Sequence, residues 1–128
     1  MLRPLRYRRI WLALGLVGIG IMLVLSLAPM AGGLVYPGQD KVEHVLGYIA
    51  MSSWFAALFE RRGYWLLALL LLLLGVGVEF AQEWMSIGRM GDWRDVVANT
   101  IGIGLALLIA SLRRESWLAR VEKWLPAT

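Results

Sequence analysis

Residues 63–84 read GYWLLALLLLLLGVGVEFAQEW. From Gly63 to Val78 there is no charge, and Leu69–Leu74 form an unbroken leucine block. Glu79, Gln82 and Glu83 follow at once. A helix rises about 1.5 Å per residue, so the uncharged part reaches roughly 24 Å, short of the roughly 30 Å hydrocarbon core of a bilayer. Glu79 therefore falls inside the outer part of the membrane, with Phe80, Ala81 and Trp84 completing the crossing. An ionisable group at that depth is expensive beside lipid and faces a bundle interior or a wet cavity, which marks it for function.

Three further runs have the same character. Ile10–Leu27 carries no charge and stops before Pro29 and the Gly32-Gly33 pair. Val42–Phe59 is apolar after its first turn and stops at Glu60-Arg61-Arg62, while Val96–Leu112 stops at Arg113-Arg114. Backbone groups in lipid must be bonded within their own segment, so four helices are the sensible reading. The expected fold is all-α: one polytopic membrane domain over residues 1–128, with four transmembrane helices at about 10–29, 42–59, 63–82 and 96–112. The first run resembles a signal peptide, with Arg6, Arg8 and Arg9 before it and Ser26-Leu27-Ala28 as a cleavage site. It is longer than an h-region, and Pro29 makes a poor residue after a cut, so it reads as a retained helix.

The composition agrees. The chain is 59% hydrophobic and 17% charged, with a mean hydropathy of +0.66, against about 45–50% and about 25% for soluble domains. It has no cysteine, which excludes disulfides and thiolate metal sites. The net charge of +4 does not point to nucleic acid, because the basic residues sit beside apolar runs. With the N-terminus in the cytoplasm, Arg3, Arg6, Arg8, Arg9, Arg61, Arg62, Arg113, Arg114, Arg120 and Lys123 lie inside. Only Lys41, Arg89 and Arg94 lie outside. That bias places both termini in the cytoplasm and the polar helix ends outside. Trp11, Tyr64 and Trp65 then mark the inner interface, and Tyr36, Trp84 and Trp93 the outer one.

The tail shows Trp117, Leu118, Val121, Trp124 and Leu125 on one side, with Arg120, Glu122 and Lys123 largely on the other. The spacing predicts a short amphipathic helix over about 115–125, lying in the inner interface. A frayed basic tail is the alternative.

The candidates for chemistry collect at the outer helix ends. Asp40 and His44 are spaced i, i+4, with Tyr48 a further turn along. Asp40 also suits the positive end of its helix as a cap. His44 is the one histidine of the chain, and a satisfied hydrogen-bonding histidine is the plain alternative to a catalytic one. Glu79 and Gln82 share a face. Asp92, Asp95 and Asn99 make a polar stripe, which overlaps a ladder of small residues, Ala98, Gly102, Ala106 and Ala110. Such a ladder lets a neighbouring helix approach closely, which turns Asp95 and Asn99 inward. Arg89, in the preceding loop, is the expected counter-charge. A purely structural network of these charges is the alternative to a site. No Walker loop, HExxH or Gly-x-Ser-x-Gly elbow is present; His44 with Asp and Glu side chains can bind a divalent metal, but no spacing demands one, and none names a cofactor.

Taken in order, Asp40-Lys41-x-x-His44, Glu79-x-x-Gln82, Arg89 and Asp95-x-x-x-Asn99-x-x-Gly102 resemble the VanZ-like family. These are small bacterial membrane proteins whose founding member is associated with low-level resistance to teicoplanin. The resemblance covers Asp40 to about Gly104. It departs from the family over Glu83–Gly88, where relatives often carry a proline before the arginine. It implies a cell-envelope role in the bacterial cytoplasmic (inner) membrane and brings no established reaction.

Three functions follow. In the first, a non-catalytic protein binds an amphiphile at the outer leaflet, either a lipid-linked wall precursor or a lipoglycopeptide, through Asp40, Lys41, Gln82, Arg89, Asp92 and Asn99. In the second, an enzyme acts on a lipid headgroup or lipid-linked phosphate. His44 serves there as general acid/base, Glu79 or Asp95 as second carboxylate, and Arg89 with Lys41 holds the phosphate. In the third, the cluster only locks the helices of a scaffold or transporter subunit.

Overall fold

The computed structural model describes residues 1–28, 36–85 and 92–126. Among these residues there are five helices: α1 (Arg8–Leu27), α2 (Gln39–Leu58), α3 (Tyr64–Met85), α4 (Trp93–Leu112) and α5 (Trp117–Glu122). A 3₁₀ turn, Arg61–Gly63, joins α2 to α3. Among the described residues three helical segments are long and apolar enough to cross a membrane, Arg8–Leu27, Arg61–Met85 and Trp93–Leu112. The sequence reading expects four such spans. α2 is as long as α1, but Gln39, Asp40, Lys41, Glu43 and His44 crowd its first two turns and lower its apolarity.

The least apolar of the four long helices is also the central one. α2 packs most extensively on α4 and also touches α1, α3 and α5. Tyr48, Met51, Phe55 and Leu58 of α2 form the spine of the core. α1 shows the reverse pattern, with Gly15 its one buried residue and Val17, Ile21, Val24 and Leu25 exposed. Polar groups turned inward and aliphatic groups turned outward are what a lipid surround requires.

Two glycines set the helix crossings. A Cβ at Gly102 of α4 would lie 2.6 Å from the backbone oxygen of Val45 and 3.2 Å from the nitrogen of Ile49. α2 and α4 therefore meet backbone to backbone, with Ala98 and Ala106 buried on the same ladder. At Gly15, a Cβ would stand 2.8 Å from the Trp54 ring, so α1 crosses α2 there.

Several local readings are corrected. α2 begins after Gly38, whose φ of 82° turns the chain, and no side chain caps it, so Asp40 is not the cap. α4 begins at Trp93, three residues before its apolar run, because Asp92 accepts from the Arg94 N–H and caps it. α3 runs to Met85, three residues past the expected end. Tyr64 is not an interface marker: it is buried, and its hydroxyl donates to the Ala56 carbonyl at 3.1 Å. Pro29, and with it the expected end of the first span, lies outside the described residues.

The tail helix is shorter than expected and docks under the bundle. Leu118 is fully buried. Trp11, Trp54 and Trp117 make two edge-to-face contacts, with centroids 6.1 Å and 5.2 Å apart. Glu122 does not face solvent on the polar side. Its carboxylate accepts the N–H groups of Arg6 and Tyr7 and the Trp11 indole N–H, each at 2.8 Å. Those two N–H groups lie immediately before α1, so the Glu122 carboxylate anchors its entry and complements the positive end of its dipole.

Burial works against ionisation of Glu122, yet these donors and the Arg6 charge hold its carboxyl below the ordinary 4.5. A carboxylate lowered in the folded state stabilises above its ordinary value, and the gain disappears as pH falls through the lowered one. We expect α5 to stay docked at neutral pH and to loosen as pH drops below about 4.5. Glu122→Gln should loosen it at neutral pH, at a cost of about 1–2 kcal/mol. Near-ultraviolet dichroism of the three stacked indoles checks this. An unchanged spectrum in both conditions refutes it.

Candidate functional site

The polar residues of three helices meet at the end of the bundle away from α5. α2 supplies Asp40, Lys41 and His44, α3 supplies Glu79, and α4 supplies Asp95 and Asn99, with Asp92 as its cap. Glu79, Asp95 and Asn99 are buried, and the His44 side chain is only 12% exposed. A helix places i and i+4 on one face, which sets Asn99 one turn deeper than Asp95 and His44 one turn deeper than Asp40. The close α2–α4 crossing at Gly102 then brings the two stripes together.

The ammonium of Lys41 lies at the centre of the charge arrangement. It stands 2.8 Å from Asp40 Oδ2, 3.0 Å from Asp92 Oδ2 and 3.0 Å from Asp95 Oδ1. The expected counter-charge, Arg89, lies outside the described residues. Among the described residues Lys41 takes that place. Asp92 is held below the ordinary carboxylate range by the Arg94 N–H at its cap and by the Lys41 ammonium. Its own backbone N–H donates to Glu79 Oε2 at 3.1 Å, which ties the start of α4 to α3.

His44 sits deeper than Lys41. Its Nδ1 is 2.8 Å from Asn99 Oδ1. With the amide oxygen of Asn99 on this side, the contact requires Nδ1 to carry the proton. Glu79 Oε1 lies 3.9 Å from Nδ1, and Asp95 Oδ2 lies 3.9 Å from Nε2. One ligand atom from each of His44, Glu79 and Asp95 falls within 4.8 Å of the others.

The structure places the remaining candidates elsewhere or adds to them. Gln82 is buried, but its amide donates to the Ser26 carbonyl of α1 at 2.9 Å. Glu79 and Gln82 thus serve different neighbours although they share a face. Tyr48 lies under the cluster, where Gly75 of α3 makes room: a Cβ there would be 2.9 Å from the Tyr48 hydroxyl and 2.8 Å from Asn99 Nδ2. A glycine just beyond a leucine block was the available sequence signal for that gap.

Beside the cluster an apolar cleft of about 400 Å³ runs between α1 and α2. Gly18, Ile21, Met22 and Leu25 form one wall, and Gly47 and Met51 the other. His44 and Glu43 stand at its polar end. The sequence reading contains no such cleft, because it depends on where α1 crosses α2.

The arrangement joins an acidic cluster to a greasy groove. Four carboxylates, Asp40, Glu79, Asp92 and Asp95, surround one lysine and one imidazole. No curated protein and no solved structure matches the chain. A family model described as VanZ/LLP1 matches residues 9–114, a stretch that holds all four of those carboxylates with Lys41, His44 and Asn99. The chain belongs to the VanZ/LLP1 family.

Proposed function

We propose that the protein binds an amphiphile at the outer leaflet of the bacterial cytoplasmic membrane, with the tail in the α1–α2 cleft and the headgroup on the polar cluster. The observation that carries this reading is the continuity of an apolar cleft of about 400 Å³ with His44 at its end. Ligand sites of this kind are mostly apolar, with a few polar groups that fix orientation. The carboxylates favour a headgroup rich in ammonium, amide or hydroxyl donors. The sugar–peptide part of a lipid-linked wall precursor and a lipoglycopeptide both present such groups.

The experiment uses Gly47, where an added Cβ meets no atom within 4 Å. Gly47→Phe places a ring on the lining of the cleft, from a position where its Cβ has room. The variant should accumulate like wild type, yet its labelling by a photoreactive lipoglycopeptide or wall-precursor analogue should drop at least about tenfold, the loss of about 1.4 kcal/mol of binding. Equal labelling in the two proteins defeats the proposal.

In this reading all four long helices cross the membrane and both termini are cytoplasmic. The central position of α2 supports its span, because it packs on α1, α3 and α4 and His44 is largely buried. The ten basic residues assigned to the inner side support the orientation. A reporter fused after Thr128 that works only outside the cytoplasm should be silent. An active reporter inverts the topology and turns the cluster to the cytosol.

The catalytic reading has one observation in its favour, the imidazole of His44 set between Asn99 and two carboxylates. Lys41 does not help it to hold a phosphate, since three carboxylates already share its ammonium. Turnover of a lipid-linked phosphate that vanishes in His44→Gln would favour catalysis over binding alone.

A further inference from the structure

Three side chains of the cluster share one pattern: each has one polar atom held by a neighbour and a second one left over beside the group. His44 Nδ1 is held by the Asn99 amide oxygen, which leaves Nε2. Asp95 Oδ1 is held by Lys41 at 3.0 Å, which leaves Oδ2, 3.9 Å from that Nε2. Glu79 Oε2 is held by the Asp92 N–H, which leaves Oε1, 3.9 Å from His44 Nδ1. Glu79 is 7% exposed, and Oε1 is buried with no hydrogen-bond partner among the described residues. In the neutral ring with Nδ1 protonated, Nε2 carries a bare lone pair. Two carboxylates and one imidazole thus share a buried space, where the desolvation and mutual repulsion of the carboxylates are costly unless positive charge lies among them.

We propose that His44, Glu79 and Asp95 bind one divalent cation of the Zn²⁺ or Mn²⁺ kind. One imidazole nitrogen and two carboxylate oxygens are a donor set that such ions accept, and three protein ligands leave coordination positions open. The donor atoms lie within 4.8 Å of one another. Around a tetrahedral ion with bonds of about 2.0–2.1 Å they stand about 3.3 Å apart, a change within reach of side-chain rotation. The neighbours already present are those that metal ligands require. Asn99 fixes the ring tautomer, while Lys41 and the Asp92 N–H orient the two carboxylates. The net negative charge of the described cluster supplies the long-range attraction. No spacing in the sequence announces this set, because its members come from three helices. The site needs no amphiphile, so its test is separate from that of the cleft.

The full chain, purified in detergent without a histidine tag and stripped with a chelator, is titrated with Zn²⁺ and with Mn²⁺. One ion should bind per chain. The sequence has a single histidine, so imidazole scattering in the X-ray absorption spectrum of the Zn²⁺-loaded wild type reports His44 alone. One imidazole nitrogen with oxygen ligands is the expected shell. Glu79→Gln and Asp95→Asn should each weaken binding by at least about 100-fold. Glu115→Gln, at the α5 end where Glu115 pairs with Lys123, should leave it unchanged. An absence of saturable binding to wild type, a shell without imidazole, or full affinity in both charge variants overturns the proposal. The spectrum is taken on the wild-type chain, so it decides the matter even where a variant fails to fold.

Discussion

Gly102→Leu is expected to remove the protein from the membrane fraction. A Cβ at this position would sit 2.6 Å from the Val45 carbonyl oxygen, and a backbone atom cannot rotate away as a side chain does. The isobutyl group must drive α2 and α4 apart along their main contact. Overpacking of a tight core costs about 1–3 kcal/mol, and a backbone obstacle puts this case at the upper end or beyond. α2 also carries Lys41 and His44, so separation would break the Lys41–Asp95 and His44–Asn99 contacts as well. Membrane abundance, measured by quantitative blotting, should fall several-fold. Gly104→Leu, where a Cβ meets nothing within 4 Å, is the control and should accumulate normally. Equal abundance of the two variants would mean that α2 and α4 do not meet at Gly102. Loss of function in Gly102→Leu carries no information about mechanism.

Glu79→Gln and Asp95→Asn should do the opposite, keeping the protein and removing its activity. Both substitutions preserve shape and an oxygen acceptor. The amide oxygen introduced by Glu79→Gln would still accept the Asp92 N–H, and the one introduced by Asp95→Asn would still accept from Lys41. Each variant deletes a buried negative charge that faces His44. Abundance should therefore stay close to wild type. Labelling by the photoreactive amphiphile should fall at least about tenfold in each, as expected when a charge-assisted hydrogen bond is lost. If abundance falls in step with labelling, the charges serve the fold and the scaffold reading prevails. If labelling is unchanged in both, neither carboxylate touches the headgroup. His44→Gln belongs to the same series: a scaffold should tolerate it, whereas a catalyst using the imidazole should not.

The structure shows why some residues were legible along the chain and others were not. His44, Glu79, Asp95 and Asn99 stand out because a polar side chain within an apolar run has few places to go. The partner of each remained open. Asp40 has the residue type and position of a cap, yet Lys41, its neighbour, claims its carboxylate. Glu122 appears on the polar side of a helical wheel, but a wheel does not know that the start of α1 lies across from it. Tyr64 has the composition of an interface residue and is instead buried against α2.

The sequence by itself determined the all-helical architecture, the apolar segments and the end of the bundle at which polar residues collect. Those features follow from periodicity and from the cost of exposing backbone or charge to lipid, which act over a few turns of one helix. Tertiary structure alone decided that α2 lies at the centre, that Lys41 is shared by three carboxylates, and that an apolar cleft runs from His44 between α1 and α2. It also decided that one ligand atom from each of His44, Glu79 and Asp95, on three helices, lies within 4.8 Å of the others. Each of these depends on the depth and angle at which two helices cross. At Gly102 and Gly15 that geometry is set by contacts between residues more than fifty positions and about forty positions apart in the chain, a relation that local pattern does not carry.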